Sequence, residues 1–237
     1  MRVAKEFSRF ATTYQQQNII QKKVARELIL SLKSQNYNRV LDIGCGSGEV
    51  YKNLEEHNIY FNNFTAIDMA KGMLDLHPRS SKITLLEGDF SKDKTFKKLP
   101  FKDYDITISS SAIQWSPNLD ITLYNISKIS KEVAFAIFTS GTFSSLHKCA
   151  NINSPIYSKE HLKEKINIYF NATFEIYQYK LNFNSVYEML RYIKISGING
   201  GKSRLSIRDI KRLMREYPLD YLEFEIIIIQ GTPITQI

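Results

Sequence analysis

Cysteine, proline and tryptophan are scarce in this chain of 237 residues, which has two Cys, six Pro and one Trp. Two cysteines, Cys45 and Cys149, cannot build a disulfide framework, so the fold must rest on an apolar core, and a reducing, cytoplasmic setting is expected. Long hydrophobic runs are also missing. The longest aliphatic run, Ile226–Ile229, falls far short of the ~20 residues that cross a bilayer. The first residues, MRVAKEFSRFATTYQQQ, hold no apolar segment of a secretory signal. Membrane, secreted and fibrous classes are thus not expected. The four histidines, at 57, 77, 147 and 161, are scattered without metal-ligand spacing, so no metal centre is expected. What the chain has in excess is positive charge, 32 Lys+Arg against 24 Asp+Glu, a net +8. That balance suits nucleic acid, an acidic protein partner, or solubility alone.

Apolar residues at three- and four-residue spacing predict helix over 2–34: Val3, Phe7, Phe10 and Tyr14, then Ile20, Val24, Leu28 and Leu32, with a break near Gln15–Gln17. The pattern then changes to short β-branched runs alternating with helices. Arg39–Ile43, Phe64–Asp68, Ile83–Glu87, Tyr104–Ser109 and Val133–Thr139 read as strands, with helices near 48–57 and 119–130. Strands apolar on both faces and separated by helices imply a parallel sheet covered on both sides. Phe174–Asn182 and Tyr221–Ile229 add two more strands. Two helical patterns, 184–196 and 206–216, stand between them where a tight hairpin would have sufficed. An insertion of that length is commonly a lid. The chain divides into a helical cover (1–34), an α/β domain (35–183 and 217–237) and the inserted lid (184–216).

The most informative segment is Leu41-Asp42-Ile43-Gly44-Cys45-Gly46-Ser47-Gly48, which follows a strand and opens a helix. Its glycines permit a tight turn and let a ligand lie against the backbone. A dinucleotide fingerprint, G-x-G-x-x-G, would need glycine where Glu49 stands. A carboxylate there also repels a pyrophosphate at the helix N-terminus. The turn therefore suits a ligand with no phosphate and a positive centre. Asp68 ends the second strand 20 residues beyond Gly48, where an acid accepts hydrogen bonds from both ribose hydroxyls. Asp89 follows the third strand and can accept from an exocyclic adenine amine, with Phe90 or Met69 flanking the ring. A nucleoside with an amino-acid tail and no phosphate is S-adenosylmethionine.

Residues 39–139 resemble a class I S-adenosylmethionine-dependent methyltransferase, an α/β fold with a Rossmann-like seven-stranded sheet. The resemblance implies that Asp42, Gly44, Cys45, Gly46 and Gly48 hold the methionine tail, Cys45 through its backbone. It also implies ribose on Asp68, adenine on Asp89 beside Met69 and Phe90, and a further cofactor contact at Ser109. More of the chain is similar to the malonyl-acyl-carrier-protein O-methyltransferases of biotin synthesis. The stretches that carry this are Phe7–Tyr14, Ser110–Trp115, Thr139–His147, Leu190–Gly200 and Tyr217–Leu219. Ser109–Ser111 depart from the family, where an Asn is common.

An acceptor carboxylate is already ionised at pH 7, since its pKa is about 4. No general base is then required, and catalysis reduces to positioning in a dry pocket. Arg191 is the first candidate to orient that carboxylate as a bidentate fork. Tyr14, Gln114, Trp115 and His147 are further substrate-positioning candidates. Residues 184–216 carry eight basic and three acidic side chains, a net +5. Such a lid would steer a strongly acidic acyl-carrier protein into place. With Tyr192 the only aromatic between 190 and 216, nucleic acid is less favoured. The readings left open are methyl transfer to a malonyl carboxylate carried on coenzyme A, a methyltransferase of another small acid or a quinone precursor, and a non-catalytic RNA- or protein-binding module.

Overall fold

The computed structural model describes residues 18–196 and 206–234. Helix α1 (Ile19–Leu30) leads into β1 (Asn36–Ile43), α2 (Glu49–Glu56), β2 (Tyr60–Asp68), α3 (Lys71–Leu74), β3 (Ile83–Glu87) and α4 (Asp93–Lys97). There follow β4 (Tyr104–Ser110), a 3₁₀ turn at Ile113–Trp115, α5 (Leu119–Ser127), β5 (Ser130–Phe138), α6 (Ser144–Ala150) and α7 (Lys159–Tyr169). The chain closes with β6 (Phe170–Asn182), α8 (Val186–Ser196), α9 (Ile207–Glu216) and β7 (Tyr221–Pro233). The seven strands form one sheet in the order β3-β2-β1-β4-β5-β7-β6. β1 to β5 pair in parallel, and β7 runs antiparallel between β5 and β6. This is the Rossmann-like seven-stranded sheet that the resemblance implied, with the parallel strands that the strand pattern implied.

Two apolar layers flank the sheet. On one face α1, α2, α6, α8 and α9 bury Val24, Leu54, Leu146, Tyr192 and Leu213 against Val40, Ile106 and Phe224. On the other, α5 and α7 bury Leu123 and Leu162 against Leu41, Phe135 and Ile227. The four-isoleucine run shows why a central strand needs no polar face: Ile226 and Ile228 enter the first layer, Ile227 and Ile229 the second. Each such side chain contributes about 1.5–3 kcal/mol of burial.

Seven strands were expected and seven are present among the described residues, several of them longer than their apolar cores. β2 starts at Tyr60 and β6 at Phe170, because β6 pairs with β7 residue by residue from Phe170↔Pro233 to Asn182↔Tyr221. The expected helix over 2–34 is seen as Ile19–Leu30, and residues 1–17 lie outside the described residues. Helices α6 and α7 were not anticipated. α7 is signalled only locally: Ser158 Oγ accepts from His161 N as an N-cap, and Leu162 and Ile166, one turn apart, are buried.

Two features of the frame position the site. Phe138 at the end of β5 pairs with Ile226, so Tyr221–Glu225 of β7 overshoot the carboxyl end of the parallel strands. The two-helix insertion therefore leaves and rejoins the sheet at the end where ligands bind in such folds. α1 is fastened at its far end, where Gln230 Nε2 donates to Ser31 O and, at 2.9 Å, to Ser31 Oγ.

Candidate active site

A cavity of about 500 Å³ opens at the carboxyl ends of β1, β2, β3 and β4. The glycine turn forms its floor. Gly44 N and Cys45 N both donate to Ile67 O, at 2.8 and 3.0 Å, which ties the turn to the end of β2. Gly44 has φ +70°, and a Cβ added there would lie 2.2 Å from Ala112 Cβ. Glycine is thus demanded twice, by the left-handed backbone and by the loop after β4 pressing on it.

Asp68 joins the turn to the next loop. Its Oδ2 accepts from Gly46 N at 2.9 Å and its Oδ1 from Ala70 N at 2.8 Å. Each oxygen retains a free lone pair, and the residue lines the cavity. Burial pushes its carboxyl up, and the N–H donors of Ala70, Gly46 and Met69 pull it part of the way back. Asp42 lies beneath the turn, fully buried, with both carboxylate oxygens lacking a partner among the described residues. Burial, reinforced by the charge of Asp68, holds its pKa well above the ordinary value. The half-buried carboxylate of Asp68 in the wall makes the floor attractive to a cation.

The remaining expected cofactor contacts divide. Cys45, Met69, Asp89 and Phe90 line the cavity with Gly44, Gly46 and Asp68. Asp89 Oδ1 accepts from Ser91 N at 2.9 Å and Ser91 Oγ at 2.6 Å, an Asx turn that holds the loop after β3. Gly48 is outside the wall; it is the left-handed N-cap of α2, packed against His77 and Pro78. Ser109 is also outside it. Its hydroxyl donates to Ile43 O at 2.8 Å, fastening β4 to β1, and Ser110 and Ser111 face the cavity instead. Strand alternation separates Ser109 from Ser110, since adjacent side chains point to opposite faces, and Ser111 has left the strand with a left-handed φ of 63°.

Among the substrate-positioning candidates, Trp115 is in the wall. Gln114 is buried behind it, its Nε2 donating to Ser111 O at 2.6 Å and bracing that loop. His147 sits on α6, its ring edge-on to Phe143, outside the wall. Arg191 is on the exposed side of α8, opposite buried Met189 and Tyr192, and the structure does not bring it to the cavity. Tyr14 lies outside the described residues. The sequence reading missed Asn18, Gln21, Glu49, Met73 and Lys92, all in the wall. Asn18 carried a usable signal, a polar cap residue directly before the apolar Ile19 and Ile20.

Residues 41–138 match the family of methyltransferase domains. This stretch is a methyltransferase domain. Over 178 residues the chain is 30% identical to a malonyl-[acyl-carrier protein] O-methyltransferase of Priestia megaterium, covering 71% of this chain and 60% of that protein. A protein of the same description from Ilyobacter polytropus is 26% identical over 239 residues, covering 93% and 90%. Several of the curated relatives are thus matched over only about half to three-fifths of their length. The fold is shared with a SAM-dependent methyltransferase of Archaeoglobus fulgidus, with a TM-score of 0.53 at 21% identity over 90% of this chain and 94% of that one.

The cavity fits S-adenosylmethionine as the domain's cofactor. The lone pairs of Asp68 lie in the wall, where a nucleoside with a cationic tail needs acceptors, whereas Asp42, an expected contact, is buried beneath the turn and outside the wall. Apolar Phe90, Met69 and Met73 supply surface for a base.

Proposed function

We propose that the chain transfers a methyl group from S-adenosylmethionine to the free carboxylate of a malonyl thioester carried on an acyl-carrier protein, a step of biotin synthesis. The observation that carries this reading is the match to the Ilyobacter polytropus protein, which runs over 93% of the chain and so includes the insertion between β6 and β7 as well as the methyltransferase domain.

When bound, the cofactor supplies an electrophilic methyl on a sulfonium. The protein's own tasks are to bind, orient and exclude water. The glycine turn, Asp42 and Asp68 would hold the tail and ribose, and Asp89 with Phe90 the base. A carboxylate acceptor needs no proton removed at neutral pH. Ser111, Ser116 and Trp115, from the loop after β4, form the wall against which it would be oriented. The insertion is proposed to close over this wall as a lid and to receive the carrier protein. In support, α9 presents exposed Arg208, Lys211 and Arg215 beside exposed Ile207 and Met214. A helix with both basic and apolar exposed side chains fits an acidic amphipathic partner.

The test is turnover. With S-adenosylmethionine and malonyl-carrier protein, mass spectrometry should show one methyl ester per carrier and stoichiometric S-adenosylhomocysteine. Methylation of free dicarboxylic acids but not of the carrier-bound thioester would refute the carrier-protein reading.

A further inference from the structure

A second cavity, of about 200 Å³, lies at the opposite end of the sheet, by the amino ends of β1, β4 and β5. Its floor is apolar, formed by Leu32 just beyond α1 with Ile106, Val133 and Ala134. β7 closes one side, with Gln230 paired to Ala134 and Thr173, and Gly231 to Val133. Tyr37 enters the wall from β1. It is 7% exposed, and its hydroxyl is buried with no hydrogen bond of ordinary geometry among the described residues. Burial and the charge of Glu132 push its pKa up to about 12, against a smaller pull from the backbone of Ser34. The phenol therefore stays protonated at neutral pH, a dry donor without an acceptor.

The charged residues of the rim define that acceptor. Lys33 and Glu132 both line the cavity, one of each sign, and neither enters a salt bridge among the described residues. The Lys33 ammonium and the Tyr37 hydroxyl are donors suited to a carboxylate. Glu132 is an acceptor suited to an ammonium group. The charge of Glu132 is felt at Tyr37, so the two halves of a ligand held this way must sit close together. A carboxylate alone would be repelled by Glu132, and an amine alone by Lys33. An α-amino acid is the compact zwitterion that satisfies both, with an aliphatic side chain on the apolar floor.

We propose that this cavity is a second ligand site, for a free α-amino acid, with Tyr37 and Lys33 holding its carboxylate and Glu132 its ammonium group. The site shares no residue with the wall of the larger cavity. Gln230 links the two, because it belongs to this wall and also ties Ser31 at the end of α1, the helix that lends Gln21 and Ala25 to the larger cavity. The proposal is independent of the cofactor and of which acceptor is methylated.

Backbone amide NMR on the full chain tests it, with the common L-α-amino acids as probes, each at millimolar concentration. At least one should shift the amides of Tyr37, Ala134 and Gly231 saturably, and its deamino and decarboxy analogues should bind much more weakly. A hydrogen bond to a charged group corresponds to roughly a 10- to 100-fold change in affinity. Tyr37→Phe should weaken the amino acid by that factor, and Glu132→Gln should weaken it as well. Because the Tyr37 hydroxyl bonds to nothing within the fold, Tyr37→Phe should keep the wild-type melting temperature, which separates lost binding from lost structure. Shifts confined to the glycine turn, Gly44–Gly46, would mean that the amino acid enters only the larger cavity, and they overturn the proposal. So does the absence of any shift, which leaves the hydroxyl to solvent. Equal binding by the Tyr37→Phe protein, or by the deamino analogue, overturns it too.

Discussion

Replacing Gly44 by alanine tests the architecture of the floor and its magnitude can be worked out in advance. The φ of +70° places an L-residue in the left-handed region, at about 1–2 kcal/mol. The new methyl would stand 2.2 Å from Ala112 Cβ, a stub with no rotamer to escape into. Overpacking of this kind costs about 1–3 kcal/mol. The single variant should lose about 2–5 kcal/mol, or roughly 4–20 °C in Tm for a chain of this size. Ala112→Gly alone removes one buried methyl and should cost about 1 kcal/mol. If the two Cβ atoms collide, the double variant keeps the backbone strain but sheds the clash. It should then lie about 1–3 kcal/mol above the sum of the singles, a coupling energy of the size seen for residues in contact. Urea unfolding of all four proteins, without cofactor, measures it. Simple additivity would refute the reasoning, because it would mean that the loop after β4 does not press on the turn.

Three other outcomes are expected. Asp42 has a folded pKa above its ordinary 3.8, so its protonated form is favoured in the fold and stability is lost as pH rises above that value. Asp42→Asn should therefore gain stability relative to wild type as pH is raised from 4 towards neutrality in cofactor-free thermal melts, while losing affinity for S-adenosylhomocysteine. Glu225 behaves oppositely. Burial pushes its carboxyl up, but the Thr139 hydroxyl and Lys159 Nζ at 3.0 Å outweigh burial and leave it depressed. Its contribution is present above the ordinary pKa of 4.5 and fades as pH falls through the folded value, so Glu225→Gln should flatten the acid limb of a stability–pH curve. Reversing Arg208, Lys211 and Arg215 to Glu should raise KM for malonyl-carrier protein most at low salt and leave cofactor affinity intact; a salt-independent KM would argue against α9 as a docking face.

The sheet was legible in the sequence because parallel strands buried on both faces must be apolar throughout. Ile226–Ile229 and Val133–Phe138 could hardly be anything else. The glycine turn was legible because its backbone conformation admits few residues. What escaped was whatever depends on tertiary direction. Ser109 and Ser111 are the same residue type and would share a face of a continuous strand, but β4 ends at Ser110 and the left-handed backbone of Ser111 turns it out of the sheet into the cavity. Arg191 looked like a carboxylate fork by chemistry, but Met189 and Tyr192 claim the inner side of α8 and leave it outside. Asn18 contributes nothing periodic. It matters because α1 ends at the cavity mouth, a fact set by packing on α2.

The place of β7 between β5 and β6 has a consequence for how the chain is made. β6 is synthesised some forty residues before β7, the one strand it pairs with among the described residues, so on the ribosome it waits as an unpaired ribbon carrying Phe170, Phe174, Ile176, Tyr177 and Tyr179. Gln230, which fastens α1 through Ser31, emerges later still. The helix bearing Asn18, already packed on α2, therefore gains this last tie only once nearly all of β7 has been translated, so the finished cavity wall is among the last features the nascent protein acquires. A nucleoside ligand would then act as a reporter of completed folding.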